Sequence, residues 1–328
     1  MDKLNIITYI TITLTSLLNL VFNGPSLIYL IIIVGLISFE LIKHKNNTKQ
    51  PPKQSITITN KNTIEELETA KKVQQALLSI EPPHVNNITI AKKCIPATTL
   101  GGDFYTFVNK TIDKLTQNSK IPGILEYGEN QNNIIGVAIG DVAGHGVSSA
   151  LVMALASGLI DRIGQNNHSP ATILQRANIN IEKFISNSQI SHVTAYYGSL
   201  NLSEMTFTYS NAGHQPALLI HEDNSYELLS TDGIFLGMYP DEVYKENTKS
   251  ILPGDRLFLF TDGLIESINK KNEIYGIARL KDIAIKYKEL EINDLLEKIY
   301  DDLNTFRNNK EARDDQTAII IEISKNVD

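Results

Sequence analysis

Four aspartates are the residues of this chain best placed to do chemistry, because each stands where an apolar stretch begins or ends and has a glycine or a second acid beside it. They are Asp103, Asp141, Asp262 and Asp314. One such carboxylate is ordinary and could simply cap a turn. Four of one design suggest that they meet at one end of a sheet, where they would repel each other unless cations neutralised them.

The ligand types favour a hard cation. These motifs offer oxygen ligands, and no cysteine and histidine spacing of the zinc type occurs in the sequence. Oxygen ligands select Mg²⁺ or Mn²⁺, and two such ions about 3.5–4 Å apart can activate a shared water and aim it at a phosphorus atom. The pattern therefore predicts hydrolysis of a phosphate ester.

The segment around Asp141 shows how such a carboxylate would be positioned. Residues 133–153 read NIIGVAIGDVAGHGVSSALVM, which predicts a buried strand, a glycine turn and a helix. Gly144 and Gly146 allow the backbone to turn sharply and shape the loop. A histidine at position 145 could act as a general acid. A place in a tight glycine turn accounts for its presence equally well, so we assign it no catalytic role.

The remaining periodicities predict strands and paired helices. Strands are predicted at residues 88–95, from about 103, and at 194–202, 205–211, 217–220, 226–229, 256–260 and 318–323, with helices near 147–163, 170–186, 277–287 and 292–306. This order fits an α+β fold in which pairs of helices cover antiparallel sheets. Between them, Asn211-Ala212-Gly213-His214 is best explained as a hairpin turn with a surface histidine.

Composition excludes some functions. The 328 residues carry a formal net charge of −7 and no stripe of lysine and arginine interleaved with aromatics, so the chain offers no surface for nucleic acid. Its one cysteine, Cys94, excludes an internal disulfide framework and is compatible with a reducing compartment.

Residues 1–45 predict a transmembrane hairpin. Residues 4–22 and 26–42 are apolar and reach or nearly reach the roughly 17–25 residues that span a bilayer as a helix. Lysines follow the second stretch and Lys3 precedes the first, which places both ends in the cytoplasm. A cleaved signal peptide is disfavoured, because no small-residue cleavage site follows the first stretch.

The next two segments connect this hairpin to a domain at 84–328. Residues 46–62 are polar and predict a linker. Thr63 and Glu66 fit a capping box that opens an amphipathic connector helix over residues 63–83. Its apolar stripe is either a dimer seam or a face that lies on the domain, and its length does not decide between them. We favour the seam, because a helix between membrane and domain is well placed to carry a signal.

Several motifs occur in the order and at roughly the spacing seen in bacterial serine phosphatases. They are GGDFY, GDVAGHG, NAGHQPALL, PGDRLFLFTDGLIES and DDQT. On these residues the chain resembles the metal-dependent protein phosphatase superfamily (type 2C), in its SpoIIE/RsbU-like branch, over about residues 69–323. The resemblance implies an antiparallel β-sandwich flanked by helix pairs (αββα), with a two-metal site at one end.

The resemblance also implies roles for particular residues. Asp141 would bridge two ions, and Asp141 and Asp262 would hold the attacking water. Asp315 and Gly144 are expected behind the ligands, although the sequence alone does not decide which of Asp314 and Asp315 points inward. The implied ligands of Mn²⁺ or Mg²⁺ are Asp103, Asp141, the backbone carbonyl of Val142, Asp262 and Asp314.

One position departs from the family pattern. Where the family usually has a second aspartate in GGDxxD, this chain has Thr106, which puts in doubt any extra carboxylate contact at the second ion. Thr106 is the only support for an alternative in which the domain is a catalytically weak scaffold that binds a phosphoprotein. A third alternative keeps the chemistry but replaces the protein substrate with a small phosphate ester.

These observations together predict a membrane-anchored protein serine/threonine phosphatase of the bacterial inner membrane, with its catalytic domain in the cytoplasm. The family resemblance implies a role in signal transduction and a substrate such as a phosphorylated anti-sigma-factor antagonist. A homodimer through the connector helix would fit this organisation, and nucleic acid is not expected as a partner.

Overall fold

Two antiparallel five-stranded sheets form the centre of the computed structural model, which describes residues 53–109, 134–186, 188, 190–308 and 310–325. The strands are β1 (Ile88–Ile95), β2 (Phe104–Asn109), β3 (Ile134–Val142), β4 (Val193–Asn201), β5 (Thr206–Ala212), β6 (Ala217–Ile220), β7 (Tyr226–Leu229), β8 (Asn247–Ser250), β9 (Arg256–Phe260) and β10 (Gln316–Ile323). One sheet has the strand order β1-β10-β9-β6-β7, and the other has the order β2-β3-β4-β5-β8.

Helices accompany both sheets. They are α1 (Lys53–Leu78), α2 (Val147–Gly164), α3 (Pro170–Ile185), α4 (Asp262–Ile265), α5 (Gly276–Lys286) and α6 (Ile292–Arg307). The pair α2 and α3 packs on the β2-β3-β4-β5-β8 sheet, and the pair α5 and α6 packs on the other. The predicted αββα arrangement of the domain is therefore confirmed, whereas the predicted hairpin at residues 1–45 lies outside the described residues.

Strand β10 shows why the sheets are buried on both faces. Ile319 and Ile321 point between the sheets, and Ile320 points into the layer beneath α5 and α6. Because both faces of the strand are covered, its sequence is a continuous apolar run rather than an alternating one. The strand lies between β1 and β9, in the interior of its sheet.

Within the described residues, one helix, α2, is long and apolar enough to cross a membrane by length and composition. Its Met153, Ala156 and Ile160 are buried in the core between the helix and the sheet. These residues recur at helical spacing on one face, so core packing accounts for the apolar character of α2.

The prediction for the connector was wrong at both ends. Helix α1 begins at Lys53, so residues 53–62 are helical rather than linker, and it ends at Leu78 rather than at residue 83. Neither glycine nor proline occurs between these ends, so nothing interrupts the helix at Thr63, the predicted cap. Pro51 and Pro52 precede its start in the sequence, where proline is tolerated.

The apolar residues of helix α1 lie in two different environments. Leu78 packs against the core between the sheets, and Gln74 is buried. Val73 and Leu77, in contrast, are 59% and 43% exposed. One face of the helix therefore lies on the domain, and the other presents apolar side chains to solvent.

Candidate metal centre

Strand ends from both sheets bring the four predicted aspartates to one end of the sandwich. Phe104 pairs with Gly140, which sets Asp103 beside Asp141 at one edge of the β2–β3 pair. Asp262 follows β9 and Asp314 precedes β10, and these neighbouring antiparallel strands end and begin on the same side. The negative charges of Asp262 and Asp314 act on Asp141 across the gap between the sheets.

Asp103 is fixed by two threonines from the opposite sheet. Its Oδ2 accepts hydrogen bonds from Thr261 Oγ1 at 2.8 Å and from Thr317 Oγ1 at 2.6 Å. All three side chains are almost completely buried. The threonines therefore orient this carboxylate and join the two sheets at the site.

The four carboxyl groups resist ionisation, although only Asp103 is fully buried and Asp314 is exposed. Burial, followed by the charge of Asp141, raises the pKa of Asp103 well above its usual range. Burial, followed by the charges of Asp262 and Asp314, raises the pKa of Asp141 to about 7. Burial also raises the pKa values of Asp262 and Asp314. Four neighbouring carboxyl groups with raised pKa values attract a cation, because a bound cation favours their charged forms.

Protein side chains do not supply that cation within the described residues. None of the lysines or arginines there forms an ion pair with any of the four aspartates. In the described residues, no three or more acidic, histidine or cysteine side chains lie close enough together to coordinate one metal ion. The oxygen-only donor set and the uncompensated charge fit Mg²⁺ or Mn²⁺, and binding would draw these carboxylates together.

The carbonyl of Val142 lies against the loop that carries Asp103. The N–H of Val142 donates to the carbonyl of Gly102 at 3.3 Å. A Cβ on Gly102 would lie 2.7 Å from the Val142 oxygen and 3.1 Å from Asp141 Oδ1. Glycine is therefore required here, because any side chain would fill the space beside these two oxygens.

Asp315 lies behind this loop and is bonded to its backbone. Its carboxylate accepts hydrogen bonds from the N–H groups of Ala97 at 2.7 Å, Gly102 at 2.6 Å and Asp103 at 3.3 Å. Those bonds use both oxygens for the backbone. Asp314, the preceding residue, instead accepts one bond, from the Asp315 N–H at 2.9 Å. Of the adjacent pair, Asp314 is the one available as a ligand.

Helix α1 holds the same loop from the other side. Gln74 Nε2 donates to the Gly101 carbonyl at 2.8 Å, and Gln74 Oε1 accepts from the Gly101 N–H at 3.0 Å. One buried side chain thus satisfies both backbone groups of a residue two positions before Asp103. The predicted amphipathic pattern did not single out Gln74, since its partner is backbone that lies far along the chain.

The loop after Asp141 is open to solvent. Gly144 and Gly146 have φ values of 93° and 86°, which only glycine adopts without strain. His145 between them is exposed, and its charge acts on Asp314. The loop leaves room for a large substrate, and Gly144 shapes it as expected.

The prediction of a surface histidine at position 214 was wrong. The turn forms after β5, but the imidazole points inwards, with Nδ1 2.8 Å from Thr194 Oγ1 and Nε2 buried. Thr194 in turn pairs with Asp141 across β3 and β4. A histidine after a glycine turn carries no pattern that distinguishes an inward ring from an outward one.

Thr106 faces the core rather than the four carboxylates. It is fully buried on β2, and its Oγ1 has no hydrogen-bond partner within the described residues. Since side chains alternate along a strand, Thr106 shares the helix-covered face with Phe104.

Comparison with known proteins identifies the family. The family described as Stage II sporulation protein E (SpoIIE) matches residues 131–324, which is more than half of the 328 residues. The chain belongs to the SpoIIE family. Two curated SpoIIE-like relatives are phosphoserine phosphatases of Bacillus subtilis (strain 168). RsbU is 28% identical over 78% of this chain and 69% of its own length, and RsbP is 27% identical over 80% of this chain and 59% of its own.

Solved structures share the fold of this SpoIIE-family chain. The SiaA-PP2C domain of Pseudomonas aeruginosa has a TM-score of 0.63 at 19% identity and covers 80% of this chain and 98% of that one. A structure of RsbX in complex with magnesium has a TM-score of 0.52 at 16% identity and covers 74% and 98%.

Proposed function

We propose that this SpoIIE-family chain, a protein serine phosphatase, hydrolyses phosphoserine or phosphothreonine at two Mn²⁺ or Mg²⁺ ions held by the aspartate cluster. The observation that carries the proposal is a set of mutually repelling carboxylates, from the buried Asp103 to the exposed Asp314, with no basic partner in the described residues. Two ions bound there would supply a water of lowered pKa and stabilise the charge that develops on the phosphoryl group. The proposed ligands are Asp103, Asp141, the Val142 carbonyl, Asp262 and Asp314.

The protein's own groups would fix these ligands in place. Thr261 and Thr317 orient Asp103 by donating to its Oδ2, and Asp315 and Gln74 hold the loop that carries it. Because protein groups alone make these contacts, less ordering would accompany ion binding.

A protein substrate fits the surroundings of the cluster better than a small phosphate ester. A cavity of about 310 Å³ adjoins Asp262 and Asp314 and is also lined by Arg307 and Arg313. On the other side, the loop around His145 is exposed. The site is therefore open to a polypeptide that carries the phosphorylated side chain, with room for neighbouring residues.

Phosphate release by the purified full-length chain tests the proposal. A phosphoserine protein, a nucleotide and a sugar phosphate are compared with Mn²⁺, with Mg²⁺ and with EDTA. We expect metal-dependent release from the phosphoprotein, lost in Asp141→Ala and Asp262→Ala and kept in Asp241→Ala, an exposed aspartate remote from the cluster in sequence. A folded protein that binds metal but releases no phosphate would instead favour the scaffold, and faster release from the small esters would overturn the protein substrate.

The physiological substrate proposed is a phosphorylated protein resembling an anti-sigma-factor antagonist, within bacterial signal transduction. The motifs shared with the SpoIIE/RsbU-like branch support it. Comparing kcat/KM for such a phosphorylated antagonist with that for an unrelated phosphoprotein tests this. Equal values for the two would remove the proposed specificity.

A homodimer through α1 is proposed from its exposed apolar face. Val73 and Leu77 are 59% and 43% exposed and lie four residues apart, on one face of the helix. We expect the double variant Val73→Lys/Leu77→Lys to be a monomer by light scattering, while Gln75→Lys, on the same exposed helix, remains a dimer. A wild-type monomer at all concentrations would overturn the proposal.

Anchoring in the bacterial inner membrane, with the domain in the cytoplasm, is proposed from the apolar stretches and flanking lysines of residues 1–45. Membrane fractionation combined with protease protection in spheroplasts tests both parts. Recovery of the intact chain in the soluble fraction, or digestion of the domain from outside, would contradict it.

A further inference from the structure

His214 lies between the two strand ends that carry Asp141 and Asp262. On one side its Nδ1 is 2.8 Å from Thr194 Oγ1, and this hydroxyl lies 3.1 Å from the backbone nitrogen of Asp141, which donates to it. On the other side the backbone of Phe260, two residues before Asp262, lies close enough to act on the ring, whose buried Nε2 has no hydrogen-bond partner in the described residues. One imidazole ring thus reaches a strand of each sheet.

The Thr194 hydroxyl connects the His214 ring to the backbone of Asp141. Burial lowers the pKa of His214 to about 4, so the ring is neutral at pH 7 and Nδ1 can accept a hydrogen bond. Thr194 has one hydroxyl proton and two candidate acceptors, His214 Nδ1 at 2.8 Å and the Asp141 carbonyl at 3.3 Å. In one tautomer of the neutral ring Thr194 donates to Nδ1, and in the other Nδ1–H donates to Thr194; in both, the hydroxyl also accepts from the Asp141 N–H.

Asn211 holds the histidine in this orientation. Its Oδ1 accepts from the His214 N–H at 2.7 Å, and its Nδ2 donates to the His214 carbonyl at 2.9 Å. The same Nδ2 donates to Ser230 Oγ at 3.0 Å. The ring therefore projects from a backbone segment that is bonded on both sides, and not from a free turn.

We propose that His214 is a positioning residue for the metal centre, acting through the Thr194 hydroxyl to hold the backbone of Asp141 in place. The inference rests on the proposed two-metal function, because Asp141 is the ligand that would be shared by both ions. A shared ligand tolerates little displacement, and removing groups that orient metal ligands typically weakens metal binding roughly 10–100-fold.

Direct Mn²⁺ binding to the purified full-length chain, measured by calorimetry with EDTA-treated protein, tests the role without requiring turnover. Thr194→Val keeps the shape of threonine but removes the hydroxyl, and His214→Phe keeps a ring but removes Nδ1. We expect each to raise the Mn²⁺ dissociation constant about tenfold or more, and the double variant to be little worse than either single one, because both act through one contact.

Conservative variants and a matched control separate positioning from general packing. Thr194→Ser and His214→Asn retain the hydroxyl and an acceptor near Nδ1, and we expect them to bind Mn²⁺ within about threefold of wild type. His221→Phe, which alters the histidine at the opposite end of β6 and β9, should leave Mn²⁺ affinity unchanged.

Two results would overturn the inference. If folded Thr194→Val binds Mn²⁺ within twofold of wild type, the hydroxyl does not position Asp141, and this variant decides the matter if His214→Phe does not fold. If Thr194→Ser weakens binding as much as Thr194→Val, side-chain packing rather than the hydrogen bond is responsible. Failure of the proposed function is distinct, because it would appear in the wild-type chain itself, which would then bind no Mn²⁺ or release no phosphate.

Discussion

The carboxylate of Asp315 accepts a hydrogen bond of 2.6 Å from the backbone N–H of Gly102, so a residue at the start of β10 sets the position of the loop before β2. Asp314, its neighbour, accepts a single backbone bond and is exposed. The two adjacent aspartates therefore have different roles: Asp315 holds the backbone, and Asp314 is available to a metal ion. Substituting Asp315 should affect stability, and substituting Asp314 should affect activity.

Asp315→Asn should lower stability in EDTA by about 1–3 kcal/mol, because an amide nitrogen would replace an oxygen that accepts buried N–H groups. Asp314→Asn should change metal-free stability by less than about 1 kcal/mol but abolish metal-dependent activity. Urea unfolding in EDTA, paired with Mn²⁺ titration, distinguishes them. Equal losses of stability in the two variants would contradict the assignment.

Substituting Gln74 tests how far α1 supports the loop that carries Asp103. Gln74→Leu leaves the N–H and carbonyl of Gly101 without their partner, so the Mn²⁺ concentration for half-maximal activity should rise about tenfold or more. Gln75→Leu changes the next residue, which is exposed, and serves as the control. Phosphatase assays across a Mn²⁺ series measure both. An unchanged Mn²⁺ requirement in Gln74→Leu would mean that the loop holds its shape without the helix.

Asp141→Asn should stabilise the metal-free protein at pH 8. The folded-state pKa of Asp141 is raised from 3.8 to about 7, so the folded state binds more protons than the unfolded state between these values. As pH rises through this window, the free energy of unfolding of the wild type in EDTA therefore falls relative to that of Asp141→Asn. The fall amounts to at most roughly 4 kcal/mol.

Urea unfolding at pH 4.5, 6 and 8 in EDTA measures this difference. Mn²⁺ should then stabilise the wild type and leave Asp141→Asn nearly unchanged, because a ligand stabilises only the state that binds it. If the wild type is more stable than Asp141→Asn in EDTA at pH 8, repulsion among the carboxylates does not destabilise the metal-free protein.

Sequence reasoning located the sheet strands well where apolar runs are bounded by turn residues. The predicted residues 88–95, 217–220 and 226–229 coincide with β1, β6 and β7. It missed β8, Asn247–Ser250, because this edge strand is polar and mostly exposed, so hydrophobic periodicity gives no indication of it. Pairing with β5, rather than its own sequence, makes it a strand.

The residues of the candidate site divide in the same way: local sequence patterns indicate some of them, and contacts between distant segments determine the others. The four aspartates were found because each stands beside a strand end and a glycine or second acid. Thr261 and Thr317 were not singled out, although they adjoin the TDG and DDQT motifs, because their common partner, Asp103, is far away in sequence. His214 was placed on the surface because the contact that turns it inwards comes from another strand.

His221 predicts a pH dependence at the other end of the sandwich. Burial lowers its pKa, but hydrogen bonds from the ring to Asp255 and Glu227 outweigh burial and raise it. Since the folded-state pKa exceeds the unfolded value near 6.5, this contribution is fully present below pH 6.5 and is lost as pH rises through the raised value.

The comparison variant is His221→Gln. It should be less stable than wild type by about 1–2 kcal/mol at pH 6, with a smaller difference at pH 9. Urea midpoints at both pH values give the result. A difference that grows towards pH 9 would reverse the predicted sign.

Thr106→Val tests whether the departure from GGDxxD weakens catalysis. The Thr106 hydroxyl is buried without a partner in the described residues, so replacing it by a methyl group of similar size should leave stability unchanged or raise it by up to about 1 kcal/mol. Activity and Mn²⁺ affinity should stay within about twofold of wild type. A tenfold loss of either would show that this hydroxyl does reach the metal centre.

Strand β10 lies between β1 and β9, yet it comes after both in the chain. During synthesis, the sheet therefore remains split until this segment leaves the ribosome and inserts between its neighbours. A nascent chain that already contains Asp103, Asp141 and Asp262 has neither Asp314 nor the Thr317 hydroxyl that orients Asp103. Under the proposed function, unfinished chains therefore lack one metal ligand, and the order of translation would delay activity until the fold is closed.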